Sequence, residues 1–213
     1  MIHIYSFVFN ALEENTFVLY NDKGECIIID PGMENAEEEK QFLNFIRAQN
    51  LKPVRLINTH THLDHILGNH FIHKTYGLKP EYHVFEDKII HSAPIIAENM
   101  GIPYSISPLA EQNLLEGEKI YLGDHEIICL FTPGHSPGHL SFYIPDIASI
   151  IGGDAIFRLS IGRTDIPFGN YEQLIESIHR NFGSLPPETI IYPGHGISTQ
   201  IGYEMDHNPF LMK

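Results

Sequence analysis

The sequence predicts a mixed α/β fold of β-sheets flanked by helices, and three observations point there. Strand-like runs come in hairpin clusters at the start and in the middle of the chain. Helical segments lie between those clusters. Each helix carries an apolar stripe on one side only, so each has a single face to bury. Two mixed sheets packed on each other with helices outside, a four-layer αββα sandwich, satisfy this pattern; a single mixed sheet satisfies it too.

The elements follow in order. IHIYSFVF, TFVLYN and CIIID are rich in β-branched and aromatic residues and read as strands, the last stopping at Asp30-Pro31-Gly32. A helix fits Asn35 to Gln49, with Phe42, Phe45, Ile46 and Gln49 on one stripe and Glu37, Glu38 and Glu39 in the first turns. VRLIN (54–58) is a strand, followed by a polar loop and a short helix from about Ile66 to Tyr76. The stretch 85–100 has helical character interrupted at Pro94, and the Pro103/Pro108 region reads as loop. Strands return at KIYL, EIICLF, LSFYI and ASIIG. A second clear helix, capped by Asn170, runs from Tyr171 to Phe182 with Tyr171, Leu174, Ile175, Ile178 and Phe182 on its stripe, and TIIY forms a last strand before Pro193-Gly194.

Composition excludes several classes. The 213 residues carry 13 Lys+Arg against 27 Asp+Glu, a formal charge of −14, which leaves no general field for nucleic acid or anionic lipid. No apolar run approaches the roughly 20 residues of a membrane span. The opening MIHIYSFVFNALEENTF has neither a basic n-region nor a small-residue cleavage site, so no signal peptide is expected. Cys26 and Cys129 sit inside apolar runs without metal-site or CxxC spacing, which reads as buried strand thiols in a reducing, cytoplasmic compartment. Length allows one domain spanning 1–213.

The 14 histidines outnumber all the Lys and Arg together, and their spacing carries the chemistry. Thr59-His60-Thr61-His62-Leu63-Asp64-His65 follows the VRLIN strand. In extended chain, residues i and i+2 project to one side, so His60 and His62 converge on one ion, and Asp64 and His65 follow as the chain turns into a helix. Imidazole with carboxylate suits a borderline divalent metal such as zinc. At this composition HxHxDH arises by chance only about 0.003 times. Three further segments repeat one device, an apolar strand, a glycine turn and a ligand-type residue: Thr132-Pro133-Gly134-His135, Gly152-Gly153-Asp154 and Pro193-Gly194-His195. Together with the first motif they supply seven candidate ligands, about the number that two four-coordinate ions sharing a carboxylate and a water need.

THTHLDH, TPGHSPGH, GGDAIF and YPGHG resemble, in order, the successive metal motifs of the metallo-β-lactamase superfamily, over roughly residues 15–200. The resemblance implies the αββα sandwich and a dinuclear centre. His60, His62 and His135 would hold one metal, Asp64, His65 and His195 the other, and Asp154 would bridge them. Zinc is the first expectation, with iron or manganese as substitutes. Metallo-β-lactamases proper lack the bridging aspartate, and flavodiiron oxygen reductases have Glu where this chain has His62. What remains is similar to the hydroxyacylglutathione hydrolase (glyoxalase II) group. The stretch from Asp154 to Gly162-Arg163 matches that group's run from the bridging Asp to a basic residue that binds the glutathione moiety, which makes Arg163 the candidate substrate anchor. Only 18 residues follow His195, without the helical domain of full-length glyoxalase II, and Asp165 stands where an aromatic residue usually follows. The chain is thus similar to the short bacterial form.

The expected mechanism is thioester hydrolysis by a metal-bridging hydroxide oriented by Asp64, on an S-lactoylglutathione-like or other small acyl-thiol, with neither nucleic acid nor membrane as partner. A thiolate leaves without a proton, since a free thiol has pKa about 8.5, so the absence of a general acid from the motifs fits this leaving group. Asp30, ending the IIID strand, is expected behind a metal-bound imidazole, or simply in an Asp-Pro-Gly turn. His139 is expected to hydrogen-bond near the site. The rivals are a mononuclear iron persulfide dioxygenase using His60, His135 and Asp154, a lactone or phosphoester hydrolase, and a non-catalytic metal-binding module.

Overall fold

A computed structural model describes residues 1–212. The chain is built of two compact units, 1–113 with 122–124 and 114–121 with 125–213.

In the first unit β1 (Ile2–Phe9) and β2 (Glu14–Asn21) form a hairpin paired from Ile2↔Asn21 to Phe9↔Glu14. β3 (Glu25–Ile29) adds antiparallel to β2. Helix α1 (Ala36–Ala48) then carries the chain across, so that β4 (Lys52–Ile57) lies parallel to β3. Asn35 caps α1, accepting the backbone N–H groups of Glu37 and Glu38, with three glutamates in the first turn as the helix dipole favours. After β4 come α2 (Leu63–Ile66), α3 (Asn69–Tyr76), β5 (Pro80–Glu81), α4 (Asp87–Ile90) and α5 (Ala93–Met100), and the sheet order is β1-β2-β3-β4-β5. Phe42 and Ile46 of α1 and Ile72 of α3 pack on Phe7, Phe9, Val18, Cys26, Ile28 and Leu56. The alternate residues Phe17, Leu19, Ile27, Ile29 and Ile57 are buried too, so both faces of this sheet are withdrawn from water.

The second unit holds β6 (Lys119–Leu122), β7 (His125–Phe131), β8 (Leu140–Ile144) and β9 (Ser149–Gly153). Next are the short hairpin of β10 (Ile156–Phe157) and β11 (Ser160–Ile161), then α6 (Tyr171–Asn181), β12 (Ile190–Pro193), β13 (Thr199–Gln200) and α7 (Ile201–His207). Its six-stranded sheet runs β13-β12-β9-β8-β7-β6, with β9 and β12 parallel. Leu174, Ile178 and Phe182 pack on Ile150, Ile191 and Ile201. Glu204 of α7 is fully buried and ties three segments together. It accepts the Thr199 hydroxyl, the Leu159 N–H at 2.9 Å and the Asn208 amide at 2.8 Å.

Two mixed sheets, each with helices on one face, are the layers the sequence predicts. Local details differ for physical reasons. The helix expected from Ile66 begins at Leu63 and breaks after Ile66. There the Asp64 carbonyl accepts from the Asn10 side chain at 3.1 Å, and the Gly68 N–H turns to the Pro31 carbonyl at 2.7 Å, so the usual i to i+4 bond is not made. Pro94 does not interrupt a helix but opens α5, where no N–H is needed. Tyr171, expected on the apolar stripe of α6, is exposed at its first turn. Among the described residues, no helix is long and apolar enough to cross a membrane.

Candidate metal centre

In the first unit the candidate ligands grow from the C-terminal ends of the parallel pair β3 and β4. Asp30 leaves β3 with φ +49°, its N–H donating to the Ile57 carbonyl at 3.1 Å, and the HTHLDH run leaves β4 at the same end. Asp30 is 1% exposed and its two oxygens are fully used. Oδ1 accepts the Thr59 N–H at 2.7 Å and the Asn58 amide at 3.4 Å. Oδ2 accepts the Thr59 hydroxyl at 2.5 Å and lies 3.1 Å from His65 Nδ1.

These bonds set the histidine tautomers. Because Thr59 Oγ1 gives its proton to Asp30, it accepts from His60 Nδ1 at 2.9 Å. His65 Nδ1–H donates to Asp30 Oδ2 by the same reasoning. Both rings therefore carry the proton on Nδ1 and keep the Nε2 lone pair for a metal, the usual device for orienting a ligating imidazole. Donor atoms of Asp30, His60 and His65 lie within 4.8 Å of one another. With the Nδ1 atoms spent on hydrogen bonds, that trio orients ligands and does not itself hold an ion. The His60 and His65 ring centroids are 4.1 Å apart, those of His60 and His62 are 4.7 Å apart, and His65 Nε2 is 3.7 Å from Asp64 Oδ2.

The spacing of THTH places the threonines opposite the histidines, and they anchor the loop. Thr61 N–H donates to the buried Glu86 carboxylate at 2.8 Å, and the Thr61 hydroxyl to the Glu86 carbonyl at 3.0 Å. Behind Asp30 stands Glu14, fully buried, taking the Thr16 hydroxyl at 2.8 Å, with its other oxygen 3.9 Å from His65 Nδ1. Burial holds its carboxyl well above the usual carboxylate range, with His65 pulling partly the other way. Glu14, Glu86 and the two threonines escaped the sequence reading. Alternation with the histidines was the signal for the threonines; nothing local marks the two glutamates.

In the second unit the ligands again leave the C-terminal ends of strands, two of them the parallel pair β9 and β12. Asp154 follows β9 and His195 follows β12, with the Gly194 N–H donating to the Gly153 carbonyl at 2.8 Å. Asp154 Oδ2 lies 3.5 Å from His135 Nε2 and 3.7 Å from His195 Nε2. His135 Nδ1–H donates to the Arg163 carbonyl at 2.8 Å, so its Nε2 is also the unprotonated nitrogen. Two glycines make the approach possible. A Cβ on Gly134 would stand 2.3 Å from the Leu174 nitrogen, and one on Gly162 only 1.8 Å from the Asp154 carbonyl oxygen. Arg163 is exposed, and both sides of its guanidinium fork are on Asp165, at 2.9 and 3.0 Å. That carboxylate holds the guanidinium pKa up, and the arginine holds the carboxyl pKa of Asp165 down.

The residues present fit a divalent ion: carboxylates, and imidazoles of which His60, His65 and His135 have the Nδ1 proton fixed by a hydrogen bond. Comparison with known proteins agrees. The family model described as the metallo-beta-lactamase superfamily matches residues 10–195. The protein named "Probable metallo-hydrolase YqgX" of Bacillus subtilis is 33% identical over 201 residues, 94% of this chain and 93% of that one. "Hydroxyacylglutathione hydrolase GloC" of Haemophilus influenzae is 34% identical over 203 residues, 94% of each. Among solved structures, the BLEG-1 B3 metallo-beta-lactamase aligns with TM-score 0.89 at 32% identity, over 99% of this chain and all of that one. The di-iron-bound form of TTHA1623 aligns with TM-score 0.87 at 32% identity, over 97% of this chain and all of that one. The chain belongs to the metallo-beta-lactamase superfamily.

Proposed function

We propose that this metallo-hydrolase is a dinuclear enzyme acting on thioester bonds of small acyl-thiols. The observation that carries the dinuclear reading is the position of Asp154. One of its oxygens is 3.5 Å from His135 Nε2 and 3.7 Å from His195 Nε2, two nitrogens that the family pattern assigns to different ions. His60, His62 and His135 would hold one ion, Asp64, His65 and His195 the other, with Asp154 shared. The di-iron-bound neighbour supports iron beside zinc as the metal.

Bound divalent ions supply Lewis acidity and bring the ionisation of a water toward neutral pH. The chain's own groups do the rest. Asp30 and Thr59 keep the protons of His60 and His65 on Nδ1, and the Arg163 carbonyl does so for His135. Asp64, with a side chain 14% exposed, would hold the attacking water by a hydrogen bond. A thiolate departs without a proton, and the motifs include no general acid. The similarity to "Hydroxyacylglutathione hydrolase GloC" supports this bond type. The net charge of −14 favours a small molecule over nucleic acid or an anionic membrane as partner, and two buried cysteines within apolar strands favour a cytoplasmic setting.

Metal analysis of the purified protein, paired with a thioester hydrolysis assay on wild type and Asp64→Asn, tests the reading. Two ions per chain and loss of hydrolysis in the variant are expected. One iron per chain, inertness toward thioesters and oxygen uptake with a persulfide would replace it with the dioxygenase reading.

A further inference from the structure

A buried imidazole outside the ligand set lies directly behind the shared carboxylate. His139 is fully buried, four residues past His135, and both of its ring nitrogens are engaged. Nε2 is 3.0 Å from the backbone nitrogen of Asp154, and Nδ1 is 2.8 Å from the Thr132 hydroxyl. A backbone N–H can only donate, so Nε2 presents its lone pair and the neutral ring carries its proton on Nδ1.

The remaining donors then follow without choice. Nδ1–H donates to Thr132 Oγ1. The Thr132 proton goes to Ser141 Oγ, 2.9 Å away, and Ser141 donates to the Gly152 carbonyl at 3.1 Å. Thr132 and Ser141 are fully buried, so no bulk water competes for these bonds. The Thr132 N–H also donates to the His139 carbonyl at 2.9 Å, which closes the base of the loop that presents His135. Asp154 is where β9 has ended and Gly153 has turned to φ +52°, so its amide has left the ladder and its buried N–H needs another acceptor. His139 is that acceptor.

We propose that His139 is a positioning residue for Asp154, held as the Nδ1–H tautomer by the Thr132–Ser141–Gly152 relay so that its Nε2 grips the Asp154 amide and fixes the carboxylate between His135 and His195. The functional half of this inference rests on the reading of Asp154 as the shared ligand; the tautomer does not.

The test has two arms on the full-length, zinc-loaded protein. Long-range proton–nitrogen NMR of uniformly labelled protein, with the His139 signals assigned by their loss in His139→Gln, reads the tautomer directly. A protonated Nδ1 and an unprotonated Nε2 are expected; a protonated Nε2 overturns the proposal. Chelator competition then reads metal affinity and stoichiometry. His139→Phe keeps the ring volume without an acceptor and should weaken the less tightly held ion about 10–100-fold, while His139→Gln, whose amide oxygen reaches the same place, should recover most of it. Equal affinity in His139→Phe and wild type overturns the proposal. Should His139→Phe not fold, the near-isosteric Thr132→Val removes the relay and should weaken the same ion at least about threefold; unchanged affinity there counts equally against it. A wild type that binds a single ion refutes the dinuclear reading while the NMR arm still decides the hydrogen bond.

Discussion

Asp30 Oδ2 lies 3.1 Å from His65 Nδ1, and the same oxygen takes the Thr59 proton that frees Thr59 to accept from His60. One buried carboxylate thus sets the tautomer of two candidate ligands. Asp30→Asn puts an NH₂ against donors it cannot satisfy. Metal affinity should fall about 10–100-fold in chelator competition. Urea unfolding of the metal-free protein should show a loss of about 1–3 kcal/mol. Unaltered affinity would show that Asp30 only closes its turn.

Gly162 leaves no room for a side chain, because a Cβ there would stand 1.8 Å from the Asp154 carbonyl oxygen. Gly162→Ala should therefore cost at least about 2 kcal/mol and lower the melting temperature by about 4–8 °C. Gly183, where a Cβ meets nothing within 4 Å, is the control, and Gly183→Ala should stay within about 0.5 kcal/mol of wild type.

The Arg163 fork is already engaged by Asp165. If Arg163 contacts an anionic thiol carrier, Arg163→Ala should raise KM for S-lactoylglutathione about 2–5-fold at unchanged kcat, the size of an exposed ion pair. Asp165→Ala releases the fork and should lower KM. A KM indifferent to both variants would remove Arg163 from the substrate site.

Cys26 and Cys129 are both fully buried, and burial pushes the Cys26 thiol up to about 12. A thiol reagent at neutral pH should find no fast-reacting group in the native protein and two after denaturation. A rapid native reaction would mean that one of the strands opens locally.

Much of this was legible in the sequence because the informative residues are local. Asn35 and Asn170 cap the helices they precede, and strands such as Ile2–Phe9 announce themselves by β-branched and aromatic runs. His60, His62, Asp64 and His65 are neighbours in one loop, so spacing alone groups them. The residues that hold the ligands were hidden because their partners are distant in the chain. Glu86 meets Thr61 across 25 residues, and Asp30 meets Thr59 across 29. Helix α7 was missed for a related reason. Its seven residues bury only Ile201 and Glu204, and a buried glutamate looks like a solvated one until its three donors are seen.

The parallel strand pairs have a consequence for assembly. Asp154 and His195 stand 41 positions apart and come together only when β9 and β12 lie side by side, a pairing that demands closure of a long loop. An unfolded chain retains the HTHLDH run but does not bring Asp154 and His195 together. Ion binding that needs Asp154 and His195 together would therefore be selective for the native state, and free metal at a hundred times its dissociation constant would add about 2.7 kcal/mol to folding. Chelation should destabilise the protein as a whole, and metal supply would then govern its lifetime as well as its catalysis.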